Sequence, residues 1–123
     1  MPRLTDPWFR ALFISDVDEY GSFHHGKVTT RAEAQGIMLW CPCGYGKPEF
    51  PLDGGRPHAV IVPFRGIVVP ENFGPLSTGN LTGPRPRWDA SGTDLNDLTV
   101  IPSIAVGSPE CWHGWIRNGE VIL

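Results

Sequence analysis

The chain has 123 residues and a net charge of −3, with 15 glycines and 13 prolines. That length fits one domain, and the heavy Gly/Pro punctuation excludes long helices. Ten scattered Lys and Arg do not make the concentrated basic face that phosphate binding needs, and five Trp, six Phe and two Tyr are too much aromatic area for a disordered chain.

Residues 1–10 read as an arm with Trp8 and Phe9 as anchors. Asp6 and Asp16 interrupt the N-terminus, which lacks the apolar stretch of a secretory signal. No apolar run approaches the ~20 residues of a membrane span. Ala11–Val17 is apolar and β-branched enough for a first strand. Asp18–Gly26 is polar and carries His24 and His25. Lys27–Thr30 reads as a short strand, and Arg31–Gln35 as a short helical turn stopped by Gly36. The apolar run Ile37–Trp40 leads into a tight turn, Cys41–Gly46, and His58–Phe64 is a buried-strand candidate. Residues 65–94, rich in Pro, Gly and Asn, read as one long irregular loop. Leu98–Val106 returns to strand character, with Pro102 demanding an edge, a bulge or a strand end. Asn118-Gly119 between extended runs predicts a type I′ hairpin turn. The expected fold class is mainly β: a small β-sandwich or rolled sheet with a zinc clasp, a C-terminal hairpin and few helical turns, in a single domain over 1–123.

Three cysteines cannot all pair as disulfides. Cys41-Pro-Cys43 and Cys111-Trp-His113 are two C-x-[C/H] pairs, and structural zinc takes four thiolate or imidazole ligands in a tetrahedron. On a strand, residues i and i+2 share a face, which suits Cys111 and His113. In a tight turn both side chains fold around one ion, which suits Cys41 and Cys43. The expected ligand set is therefore Cys41, Cys43, Cys111 and His113, with His24 or His25 as the alternative to His113. Four protein ligands leave no position for water, so the predicted Zn2+ is structural. Small buried cysteines beside a hydrogen-bonded His113 are the competing reading.

The segments CPCGYG at 41–46, Trp88, DLTVIPSI at 97–104 and CWHGWIRNGEV at 111–121 resemble a family of small uncharacterised prokaryotic and phage proteins. That family is held to be metal-binding. Some members resemble accessory genes beside bacterial ubiquitin-like conjugation systems, and others sit in phages. The resemblance covers about residues 37–123 and implies the same four ligands. Tyr45 departs from the pattern, since many relatives carry a cysteine there. The resemblance implies no activity.

Other residues read more plainly. Trp88 is expected to cap the core beside the Leu98–Ile104 strand rather than form a binding platform with Arg85 and Arg87. Ser103 follows Pro102, but no G-x-S-x-G elbow surrounds it and no further histidine lies near it in sequence, which argues against a nucleophile. Asp94 and Asp97 read as turn residues, and His58 as a core or edge histidine. Trp115 shares the His113 face by alternation, whereas Trp112 faces the other way. The expected function is a zinc-stabilised, non-enzymatic interaction module in the cytoplasm (a host's, if phage-encoded), acting through a protein partner rather than nucleic acid or a membrane. The alternatives are a zinc-dependent hydrolase and a nucleic-acid-binding zinc module.

Overall fold

The computed structural model describes residues 2–18, 20, 22–42, 59–65, 86–106 and 112–122. Among them eight strands form: β1 (Leu12–Ser15), β2 (His24–His25), β3 (Gly36–Trp40), β4 (Ala59–Pro63), β5 (Asp89–Ser91), β6 (Thr99–Val106), β7 (Trp112–Arg117) and β8 (Glu120–Ile122). They make two antiparallel four-stranded sheets, ordered β2-β1-β3-β4 and β5-β6-β7-β8. The mainly β fold class expected from the sequence is what the chain adopts.

Strand alternation builds the core. Phe13 pairs with Ile37, Ile37 with Val62, and Leu39 with Val60. In the second sheet Val100 pairs with Ile116 and Ile116 with Val121. All of these are buried and belong, with Ile104 and Trp112, to one hydrophobic cluster that both sheets contribute to.

The N-terminal arm closes the outer edge of the second sheet. Leu4 N–H donates to the Gly119 carbonyl (2.7 Å), and Val121 N–H to the Pro2 carbonyl (2.8 Å). Arg3 donates from Nη2 to the Asn96 carbonyl at 2.6 Å and forms an ion pair with Glu120 at 3.7 Å. Leu4 and Phe9 are buried, so the arm is anchored as the sequence suggests, with Phe9 rather than Trp8 as the deeper anchor. Asp6 Oδ1 caps the 3-10 turn Pro7–Phe9 by accepting from Trp8 N–H (2.9 Å).

Three expectations change in detail. Lys27–Thr30 is not a strand; the short strand is His24–His25, which pairs with Ile14 and Ser15. The helical turn is a single 3-10 turn, Arg31–Glu33. The region 65–94 is not loop throughout. Asp89–Ser91 is β5, and Trp88 bridges Phe64 in parallel, with Arg65 N–H donating to the Trp88 carbonyl (2.8 Å) and Trp88 N–H to the Pro63 carbonyl (3.0 Å). This bridge joins the two sheets at one end.

Candidate active site

Pro102 forces the feature that organises this site. It lacks a backbone N–H, so an internal strand carries it only at a break in the ladder. Val100 pairs with Ile116 and Ile104 with Gly114, so Ile101, Pro102 and Ser103 stand opposite the single residue Trp115. Bulges of this kind redirect side chains and concentrate beside functional sites. Beyond the bulge Ala105 pairs with His113, which places Ser103 diagonally across from His113.

The inner residues of β7, Trp112, Gly114 and Ile116, are buried, while His113 and Arg117 are exposed and Trp115 half-buried. Ser103 meets this outer row. Its Oγ lies 3.1 Å from His113 Nε2, within hydrogen-bond reach. The imidazole stacks on the Trp115 indole, with ring centroids 5.8 Å apart and an interplanar angle of 25°. The Arg117 guanidinium lies over the same indole, 5.5 Å from its centroid.

The backbone of Ser103 is held from the other side. The buried Trp88 donates its indole N–H to the Ser103 carbonyl at 3.2 Å. Trp88 thus caps the core beside β6, as expected, and also ties the bulge down. Ile101, 58% exposed, is the first residue of the bulge and offers an apolar step on the surface.

Of the four expected zinc ligands, Cys43 and Cys111 lie outside the described residues, as do His58 and Tyr45. Cys41 has no exposure and sits in the core cluster at the end of β3. His113 is on the outer face of the second sheet. Cys41 is thus buried and His113 exposed, and His113 is in contact with the Ser103 hydroxyl. His24 and His25 are exposed on β2. Sequence reasoning missed the Ser103–His113 pair because it had assigned His113 to zinc. The available signal was the bulge-forming Pro102, which brings residues ten apart in sequence onto one face.

Asp94 and Asp97 are turn residues, as read. Asp97 Oδ1 accepts from Thr93 N–H (2.8 Å) and Asp94 N–H (3.0 Å), and Asp94 Oδ1 from Asn96 N–H (2.8 Å). The backbone N–H donors of Asp94 and Thr93 hold the Asp97 carboxyl below the usual carboxylate range. Arg31 fastens this turn to the first sheet through Gly92 and Thr93 carbonyls at 2.7 and 2.8 Å.

A serine hydroxyl facing an imidazole on a rigid sheet is the pairing of nucleophile and base used by hydrolases that form acyl intermediates. The family model described as "Bacterial ubiquitination-like system serine protease (BubE)" matches residues 73–123, which include Ser103 and His113. No curated protein and no solved structure matches the chain. No helix among the described residues is long and apolar enough to cross a membrane.

Proposed function

We propose that this chain is a serine protease of a bacterial ubiquitination-like system, with Ser103 as nucleophile and His113 as general base. The observation that carries the proposal is the 3.1 Å contact between Ser103 Oγ and His113 Nε2. The family description over residues 73–123 supports it, because it names that chemistry for proteins similar to this C-terminal part of the chain. The family description is compatible with the interaction module expected from the sequence as well, and the Ser103–His113 contact is what favours the protease reading over it.

In this mechanism His113 carries its proton on Nδ1 and presents the Nε2 lone pair to Ser103. Oγ attacks the scissile carbonyl carbon as its proton passes to Nε2. The tetrahedral intermediate collapses, the C–N bond breaks, and the imidazolium returns the proton to the departing amine. Water, deprotonated by the same nitrogen, then attacks the acyl carbon, the C–Oγ bond breaks, and the imidazolium returns the proton to Oγ. A general base of this kind contributes about 10²–10⁴-fold to rate.

The test is labelling with a fluorophosphonate, which reports an activated serine without requiring the natural substrate. Mass spectrometry of the wild-type protein should find the adduct on Ser103. Ser103→Ala should abolish it, and His113→Ala should slow it by about 10²-fold or more. Labelling that survives Ser103→Ala, or no labelling of the folded wild-type protein, would sink the proposal.

The zinc clasp of Cys41, Cys43, Cys111 and His113 stands as a second proposal that rests on the ligand spacing in the sequence; the buried Cys41 thiol at the end of β3 suits it and plain burial alike. Cys41 could join Cys43 and Cys111 around an ion that holds the fold and takes no part in the steps above. Metal analysis of Cys41→Ser and Cys111→Ser tests it: unchanged zinc content in both would dismiss the clasp.

A further inference from the structure

The geometry points to Trp115 as the positioning residue of the proposed nucleophile–base pair, and we propose that it holds the His113 imidazole in the one orientation that reaches Ser103. This inference rests on the serine protease reading above.

His113 is an exposed side chain on a strand face. Such a histidine has three χ1 wells and a roughly two-fold χ2, about six orientations in all. One of them puts Nε2 against Ser103 Oγ. Trp115, two residues along the same face, meets the imidazole as a near-parallel plate, 5.8 Å between centroids and 25° between planes. Arg117, two residues further, lies over the indole at 5.5 Å from its centroid. Imidazole, indole and guanidinium thus form a row along β7, with the half-buried indole in contact with both neighbours. Opposite this indole is the bulge that carries Ser103. One residue therefore sits at the register position where the ladder breaks and also supports the base. Preorganisation of this kind is what separates a reactive pair from two polar groups that happen to be close.

The same fluorophosphonate serves as the test. Its phosphorus–oxygen bond forms at Ser103 Oγ, fluoride leaves, and the hydroxyl proton goes to His113 Nε2, so its rate depends on the imidazole's orientation. Two variants separate positioning from packing: Trp115→Leu keeps apolar volume but removes the flat face, and Trp115→Phe keeps a flat face. Without the plate the productive orientation falls to about one in six. Trp115→Leu should therefore lower the maximal labelling rate about five- to sixfold, with the half-saturating probe concentration unchanged. Trp115→Phe should stay within about twofold of wild type. Equal labelling rates in Leu and Phe variants would overturn the proposal, as would a loss that appears only as weaker probe binding. If the wild-type protein is not labelled at Ser103, the serine protease reading itself falls and takes this inference with it. Melting temperatures of both variants show that the comparison is made on folded protein.

Discussion

Gly114 lies between His113 and Trp115 on β7, and its substitution tests whether the site depends on the packing of the second sheet. A Cβ built there collides with the Ile122 carbonyl oxygen and comes within 3.1 Å of the Ile122 carbonyl carbon and 2.7 Å of Trp112 Nε1. A long side chain can yield to such a methyl, at about 1–3 kcal/mol. The obstacle here is the backbone of β8, which is hydrogen-bonded on one side to β7 and on the other to the N-terminal arm. Displacing β8 exposes the buried Val121, worth about 1.5–2 kcal/mol. It also weakens two or three ladder hydrogen bonds, each worth about 0.5–1.5 kcal/mol net. Gly114→Ala should therefore cost about 3–4 kcal/mol, a large share of the 5–15 kcal/mol that holds a typical domain. For a chain of this size that is a fall of about 10–15 °C in melting temperature. Calorimetry or near-ultraviolet circular dichroism reads it directly, and fluorophosphonate labelling of Ser103 should fall with it at temperatures where the wild type is folded. A melting temperature within about 2 °C of wild type would show that β8 does not press on β7 as described.

Phe9→Ala should destabilise by about 3–5 kcal/mol, because the ring is completely buried and anchors the arm that covers β8; chemical denaturation measures it. Asp97→Ala should lower the melting temperature at neutral pH by releasing the Thr93 and Asp94 N–H groups. Because the folded-state pKa of Asp97 lies below its ordinary value of 3.8, its contribution is present above that value and disappears as pH falls through the lowered pKa. The gap between variant and wild type should accordingly close in acid melts.

The strands most legible in the sequence were those whose pattern was unambiguous. Ile37–Trp40 and His58–Phe64 are apolar runs, and they became the neighbouring strands β3 and β4 of the first sheet. Asn118-Gly119 reads as a hairpin, and it is one, with φ of 48° and 76°. β2 was hidden because two exposed histidines carry no alternating apolar signal, although they pair with Ser15 and Ile14 of β1. β5 was hidden for the same reason, being three residues with no buried side chain. Half of the candidate site was also legible. The alternation that puts Trp112 inside and Trp115 beside His113 follows from β periodicity alone, and both tryptophans are where it places them. The partner of His113 was not legible. Counting along an unbroken strand cannot tell where a bulge inserts its extra residues, and the position of Ser103 depends on that insertion.

His113 is where the two proposals for this chain meet. A neutral imidazole has one protonated and one unprotonated nitrogen. If Nε2 is unprotonated, it accepts from Ser103 and serves as the base. If Nε2 carries the proton, it donates to the same Oγ, the lone pair that a metal would take lies on Nδ1, and Ser103 loses its base. The 3.1 Å distance is common to both tautomers. The consequences differ, and His113→Ala separates them. As the base, His113 is needed for Ser103 labelling but not for zinc, so the variant should keep its metal content and melting temperature while labelling falls about 10²-fold or more. As a ligand, His113 is needed for the metal, so the variant should lose zinc and stability together and match Cys111→Ser in both. We expect the first outcome. Matching losses of zinc in the two variants, with Ser103 unlabelled in the wild type, would return His113 to the clasp and remove the protease.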